Sequence, residues 1–153
     1  MRVFIPTTPA GLASVHADGG IGSAPVVAFA VTDAFRAWYD SSDEEELEYG
    51  ALTRAAEDSL RLLAAEPGAM RRVVLAADVP DALVRERAQD GPGAVLVDAT
   101  VPRKRIAAVH MDTTEAEGAI AAALAGGLTD EWIEATEEHE LLWFATQELA
   151  DLL

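Results

Sequence analysis

The sequence predicts a single α/β domain over residues 1–153, with a mixed sheet of five or six strands and helices on both faces. Short apolar runs are repeatedly followed by Thr or Asp and then by helical periodicity, which is typical of strand–helix junctions. The segment Arg72–Ala77 is apolar without polar alternation, which predicts a strand that is covered on both faces. A chain of 153 residues is the ordinary length of one domain.

The segment Val26–Tyr39 is the clearest junction of this kind. Its first half is apolar and β-branched, as in a buried strand. The Thr32 side chain can accept a backbone N–H and cap a helix, and Asp33 places a negative charge at the positive end of the helix dipole. Phe35, Trp38 and Tyr39 then recur at helical spacing, so a helix is predicted after the strand.

The chain begins with a predicted strand over Arg2–Ile5, ended by Pro6. Thr7 or Thr8 before Pro9 predicts a capped helix over Ala10–Ala17. Asp18–Pro25 is glycine-rich but has no P-loop lysine and precedes a strand, so a surface loop is predicted there.

Ser41 and Ser42, three residues before Glu44 and Glu45, form a capping-box pattern that predicts a long helix from about Asp43 to Ala65. Its end is predicted at Pro67 and Gly68. Its predicted buried stripe contains Tyr49, Leu52, Ala56, Leu60 and Leu63.

The second half is predicted to contain two strands that are antiparallel or offset neighbours, because their connection is too short for a crossover helix. The tail after His139 fits either a strand followed by a helical turn capped by Thr146, which is favoured, or one continuous helix. The predicted elements are a turn or short helix through Val84, a loop over Arg85–Gly93, strands Ala94–Asp98 and Arg105–His110, a helix capped by Asp112–Thr114 and ended at Gly126, a helix over Asp130–Glu137 capped by Thr129, and a strand over Leu141–Ala145.

The formal net charge is −16, with five acidic residues in the six positions Asp43–Glu48 and eight in Asp130–Leu153. This charge argues against non-specific binding to nucleic acid or to an anionic membrane. A well-solvated surface is the simplest interpretation, and an acidic face for a basic partner or a mimic of nucleic-acid charge are alternatives. The chain has no cysteine and no apolar run of membrane-spanning length, so a cytoplasmic protein is expected.

Five segments, in this order and covering nearly the whole chain, resemble an uncharacterised actinobacterial protein family. The segments are RVFIPTT, AFAVTDAFRAWY, DEEELEYGALTRAAEDSLRLLAAE, RVVLAADVPDA and HELLWFATQEL. The resemblance implies a bacterial cytoplasmic protein without an assigned activity, and it assigns no functional residues.

A polar rim is the first candidate site. If the predicted strands are parallel, the polar residues after them converge on one sheet edge, where α/β proteins bind ligands. Each of these residues also has a structural role as a cap or turn former. They are Thr7, Thr32, Asp33, Asp78, Asp112 and Thr113.

His110 and Asp112 are two residues apart and would share a face within a strand, so they could contribute a general base or half of a metal site. No second pair has ligand spacing, whereas zinc usually has three or four protein ligands. The favoured interpretation is structural, with His110 packed and Asp112 acting as a cap. No metal or cofactor site is therefore predicted.

His139 lies between Glu138 and Glu140, which should favour its protonated form, and it is followed closely by Trp143 and Phe144. Trp143, Phe144 and Glu138 could form a small-molecule pocket or a docking surface for a protein. Core packing of Leu141–Phe144 is the simpler interpretation, because large aromatic side chains are mostly buried.

The favoured function is that of a non-enzymatic acidic protein that acts through an unidentified protein partner or as a homodimer. The alternative is a small enzyme or ligand-binding protein with Asp78, His110, Asp112 or His139 as its polar groups. The sequence contains no catalytic triad order, nucleophile elbow or dinucleotide fingerprint, but isolated residues can also assemble into an active site.

Overall fold

The computed structural model describes residues 1–66 and 68–153. The strands in this part of the chain are β1 (Arg2–Thr7), β2 (Gly20–Ile21), β3 (Val26–Ala30), β4 (Val73–Asp78), β5 (Val84–Glu86), β6 (Ala94–Val97), β7 (Val101–Pro102), β8 (Ile106–Met111) and β9 (Leu142–Ala145). The α-helices are α1 (Pro9–Asp18), α2 (Asp33–Trp38), α3 (Glu44–Ala65), α4 (Glu117–Ala125) and α5 (Asp130–Thr136). Short 3₁₀ helices cover Asp81–Leu83, Ala88–Asp90, Arg103–Arg105, Thr114–Ala116 and Thr146–Leu152.

Seven strands form one sheet in the order β5-β6-β3-β1-β4-β8-β9, and β2 pairs separately with β7. Every pair of neighbours in the large sheet is antiparallel, so the predicted mixed sheet of five or six strands is wrong in both respects. The α/β class itself is confirmed. The strand and the helix predicted within Val26–Tyr39 are present as β3 and α2. The next strand in the chain, β4, runs parallel to β3, but β1 lies between them.

Both faces of the sheet carry helices. On one face, Leu12 and Val15 of α1 and Leu149 of the last 3₁₀ helix pack with β-sheet residues in the larger core cluster. On the other face, Phe35 of α2 and Leu47 of α3 pack in a second cluster. A third, smaller cluster joins α3 to α4 and α5. As a result, α3 lies over the central strands of the sheet, and α5 lies beside the C-terminal half of α3.

Two predicted helix caps are confirmed by individual hydrogen bonds. The Thr8 hydroxyl accepts from the Gly11 N–H at 3.0 Å, and the Thr32 hydroxyl accepts from the Phe35 N–H at 3.1 Å. At the start of α3 the capping residue is Asp43 and not the predicted Ser41 or Ser42, because the Asp43 carboxylate accepts from the Glu45 N–H at 2.9 Å. Local side-chain chemistry therefore determines where these helices begin.

Two segments differ from the prediction because sheet pairing overrides local preference. Pro6 does not end β1, because it pairs with Val74 of β4. β3 pairs only with Val3 and Phe4 of β1, so Pro6 lies where β1 has one neighbour, a position in which proline is tolerated. The predicted loop after Val84 contains the additional strand β5, whose polar residues pair with β6 at the edge of the sheet.

The predicted neighbours β6 and β8 are separated by three strands, β3, β1 and β4, so that pairing is wrong. The connection between β6 and β8 contains β7, which is not part of the large sheet. It pairs with β2, a short strand within the predicted glycine-rich loop. In α3 the predicted stripe is correct for Ala56, Leu60 and Leu63, but Tyr49 is 51% exposed. The predicted helix end at Pro67 lies outside the described residues.

Asp112, Thr129 and Thr146 do not cap helices as predicted. No side-chain cap bond precedes the Thr114–Ala116 helix or α5, and the Thr146 hydroxyl donates to the Ile106 carbonyl at 2.8 Å. The favoured interpretation of the tail, a strand followed by a helical turn, is confirmed by β9 and the final 3₁₀ helix. No helix within residues 1–66 and 68–153 has both the length and the apolar character needed to cross a membrane.

Candidate functional site

The polar residues after the strands do not converge. Because the sheet is antiparallel, Thr7 and Asp112 lie at one end of it, while Thr32 and Asp78 lie at the other. Asp33 and Thr113 follow Thr32 and Asp112 and belong to opposite ends as well. The hypothesis of a polar rim at one sheet edge, which required parallel strands, is therefore wrong.

Asp78 is an exposed residue at the end of β4. It accepts hydrogen bonds from Arg2 Nε at 2.7 Å and Arg2 Nη2 at 3.0 Å. The Arg2 hydrogen bond lowers the pKa of the Asp78 carboxyl group. Asp78 therefore forms a surface ion pair away from His110 and Asp112.

A pocket of about 400 Å³ lies between α3, the C-terminal end of β8 and the segment from Thr136 to Leu141. It brings together three of the residues singled out in the sequence, His110, His139 and Trp143. Its other walls come from α3, from Arg72 before β4 and from the 136–141 segment. They are Tyr49, Leu52, Thr53, Ala56, Glu57, Leu60, Arg72, Thr136, Glu137, Glu140 and Leu141.

A buried ion pair lies at the inner end of this pocket. Asp112 Oδ2 accepts from the Arg72 backbone N–H at 2.7 Å and from Arg72 Nε at 2.9 Å, and Oδ1 accepts from Nη2 at 2.7 Å. Arg72 Nη2 also donates to the His139 carbonyl oxygen at 2.6 Å. The pair thus joins β4 to the end of β8 and fixes the backbone of the 136–141 segment.

His110 is half-buried and lies directly opposite Trp143 across the β8–β9 pair. Burial lowers the pKa of the His110 imidazole, and the positive charge of Arg2 lowers it further. The ring is therefore held neutral at pH 7, with a nitrogen lone pair that can accept a proton. This chemistry suits either hydrogen bonding to a ligand or general-base catalysis.

The lowered pKa of His110 predicts a pH dependence of stability. The unfolded chain, with an ordinary histidine pKa of 6.5, binds the proton more tightly than the folded protein. The stability contributed by neutral His110 is therefore lost as the pH falls below 6.5. We expect the free energy of unfolding of the wild type to fall more steeply between about pH 7.5 and 5.5 than that of His110→Gln. Urea unfolding at several pH values measures both slopes, and equal slopes would contradict the assignment.

Three carboxylates, Glu57, Glu137 and Glu140, give the pocket a negative charge. Burial raises the pKa of Glu57, the nearby Arg61 lowers it, and the charge of Glu137 raises it again. The Arg61 guanidinium lies 4.0 Å from Glu57, whereas neither Glu137 nor Glu140 forms an ion pair within residues 1–66 and 68–153. Arg72 cannot neutralise them, because its charge is paired with Asp112.

The aromatic tail segment is divided between the two faces of the sheet. The Trp143 side chain lines the pocket and is 62% exposed, and Leu142 is 47% exposed, so the predicted core packing of this segment is wrong for both. Phe144 is half-buried against the larger core cluster on the other face. Glu138 is exposed and does not line the pocket. Trp143 alone among these residues is both exposed and at the pocket.

The sequence did not indicate the pocket residues Tyr49, Glu57, Arg72, Glu137 or Glu140 as functional. Tyr49 and Glu57 are eight residues apart on α3, a spacing that places two residues near the same helix face, but this signal is common. Arg72 immediately precedes a fully apolar strand and had no visible partner. Only the pairing of β4 with β8 brings it to Asp112.

Within the described residues, no group of three or more His, Asp or Glu side chains is arranged to hold a metal ion.

Residues 1–153 match the model of a family of unknown function, DUF6912, and the chain belongs to this family. The resemblance to an uncharacterised family is thereby confirmed, and the actinobacterial origin stays a prediction. Neither the curated proteins nor the solved structures contain a match.

Proposed function

We propose that this protein is a non-enzymatic cytoplasmic protein that acts by binding a protein partner, and that the partner inserts a basic side chain into the pocket beside Trp143. The observation that carries the proposal is the combination of exposed aromatic side chains with unpaired carboxylates around one pocket. Tyr49 and Trp143 offer aromatic faces, while Glu137 and Glu140 offer acceptors without cations of their own.

A cation fits this pocket on two physical grounds. A guanidinium or ammonium group is attracted to the face of an aromatic ring and to a carboxylate at the same time. The raised pKa of Glu57 reflects burial next to another carboxylate, so a bound cation would relieve the repulsion between Glu57 and Glu137. An anionic ligand would be repelled by the carboxylates and by the faces of the aromatic rings.

The experiment is a calorimetric titration of the protein with a blocked arginine–lysine–arginine tripeptide, with a blocked glutamate tripeptide as the comparison ligand. We expect saturable binding of the basic peptide only. The double variant Glu137→Gln/Glu140→Gln and the variant Trp143→Ala should each weaken binding by about tenfold or more, the loss of about one charge-assisted contact.

Glu138→Gln is the control, because it removes one of the same carboxylate charges from a neighbouring side chain that does not line the pocket. It should change the dissociation constant less than twofold if local contacts rather than overall charge hold the peptide. Failure of the basic peptide to bind would contradict the proposal. So would a loss of affinity in Glu138→Gln as large as that in Glu137→Gln/Glu140→Gln.

A second candidate function is a small enzyme or ligand-binding protein that uses the same pocket. It is favoured by the presence of a neutral imidazole, His110, and a carboxyl group of raised pKa, Glu57, in one pocket, which is a pattern found at acid–base sites. A thermal-shift screen over metabolites tests it. A compound that raises the melting temperature of the wild type but not of His110→Ala would support this candidate. A screen that finds no compound of this kind would count against it.

A further inference from the structure

The two edges of the large sheet are protected very differently. At one edge, β5 carries Arg85 and Glu86, and Arg85 is paired with Asp98 through two hydrogen bonds of 2.9 Å each. Charged residues of this kind discourage strand pairing between molecules. At the other edge, β9 contains no charged residue and exposes Leu142 and Trp143. Within the described chain, β9 pairs only with β8.

The backbone of β9 offers a defined pairing site on its outer side. The Ala145 N–H donates to Glu148 Oε2 at 2.8 Å, so it points away from β8. Because backbone groups alternate in direction along a strand, the N–H and C=O of Trp143, two residues earlier, also point outward. Glu148 thus covers one donor of this edge and leaves Trp143 open.

We infer that the partner is a second copy of this chain, which pairs its own β9 antiparallel to the first across a two-fold axis at Trp143. This inference rests on the proposed function, since the second copy is the protein that supplies the basic group. In such an isologous contact the two Trp143 residues exchange backbone hydrogen bonds, and Leu142 lies opposite Phe144 of the second copy. Two seven-stranded sheets become continuous, and the most exposed aromatic side chain is covered.

Charge complementarity supports a second copy as the occupant. Arg103, Lys104 and Arg105 are the only three consecutive basic residues in a chain of net charge −16. Lys104 and Arg105 are exposed, and none of the three forms an ion pair among residues 1–66 and 68–153. The chain therefore carries both an unpaired basic turn and a pocket with unpaired carboxylates.

The two-fold arrangement brings these opposite charges together. The basic turn precedes β8, and Glu140 precedes β9 at the opposite end of the β8–β9 pair. When two β9 strands pair antiparallel, the two β8 strands also run antiparallel to each other. The basic turn of one copy then lies at the same end as Glu140 of the other, about two strand spacings or ~10 Å away. Both contacts form at once because the interface is symmetric.

The test is the molecular mass in solution, measured by sedimentation velocity for the wild type and for two charge reversals. One variant is Lys104→Glu/Arg105→Glu, and the other is Glu137→Lys/Glu140→Lys. All four positions are exposed, so both variants should fold, which circular dichroism checks. We expect a wild-type dimer, dissociation constants raised at least about tenfold in each variant, and recovery of a dimer when the two variants are mixed.

Arg85→Glu, a reversal at the opposite sheet edge, is the matched control and should leave the dimer unchanged. A dimer insensitive to both reversals, or no recovery on mixing, would overturn the inference. A monomeric wild type that still binds the basic tripeptide would overturn the inference but leave the proposed function standing. A monomer that does not bind the peptide would overturn both.

Discussion

Replacing Asp112 with alanine is expected to lower the free energy of unfolding by about 3–5 kcal/mol. The Arg72 side chain is 4% exposed, and Asp112 supplies three of its hydrogen bonds, including the one to its backbone N–H. Without the carboxylate, a guanidinium stays buried with a single remaining acceptor, the His139 carbonyl. Urea unfolding followed by circular dichroism measures the loss.

An exposed ion pair provides the control for the Asp112 substitution. Arg85 and Asp98 make the same two-pronged contact, but both side chains are largely exposed. Asp98→Ala should therefore cost no more than about 1 kcal/mol. The joint replacement Arg72→Met/Asp112→Leu should recover most of the stability lost in Asp112→Ala, because no unpaired charge remains. A loss below about 1 kcal/mol in Asp112→Ala would contradict the role given to this pair.

Replacing Phe35 with alanine is expected to cost about 3–5 kcal/mol. The ring is fully buried and stacked on Tyr39, with ring centroids 5.3 Å apart. The surrounding backbone is pressed against it, since a Cβ atom at Gly93 would lie 2.7 Å from Phe35 Cδ1. The cavity left by the ring is therefore lined by glycine backbone and sheet residues that have little freedom to fill it.

Trp38 is the comparison for this second substitution, because it lies three residues later on the same helix but is 58% exposed. Its ring contacts Phe35 and the Arg54 guanidinium, so Trp38→Ala should cost about 1 kcal/mol. Equal losses in the two variants, measured by urea unfolding, would show that α2 is not anchored through Phe35.

Local signals predicted the elements of this fold better than their arrangement. The caps at Thr8 and Thr32 and the β4 core were visible because each depends on neighbouring residues. The direction of the strands was not visible, since it depends on pairing between β1, β3 and β4 across 70 residues of chain. β5 was missed for the same reason, because its polar residues form a strand only when β6 is beside them.

The candidate site was predicted in fragments. His110, His139 and Trp143 were each singled out in the sequence, and the β8–β9 pairing and the Arg72 contact bring them to one pocket. Asp78 joins this group only if the strands are parallel, which the antiparallel sheet rules out. The spacing of His110 and Asp112 suggests a functional pair, but the Asp112 carboxylate is paired with Arg72 instead. Trp143 was expected in the core, but β9 is an edge strand, and its pocket-facing side chain is left exposed.

The central claim is that the pocket beside Trp143 is the surface through which this protein binds a partner. A ¹H–¹⁵N correlation spectrum, recorded while the basic tripeptide is added, tests it residue by residue. We predict that the largest shifts fall on residues 136–143 and on the Tyr49–Glu57 face of α3, with the Trp143 indole N–H among them. Shifts concentrated elsewhere, or weak shifts scattered over the acidic surface, would contradict the claim.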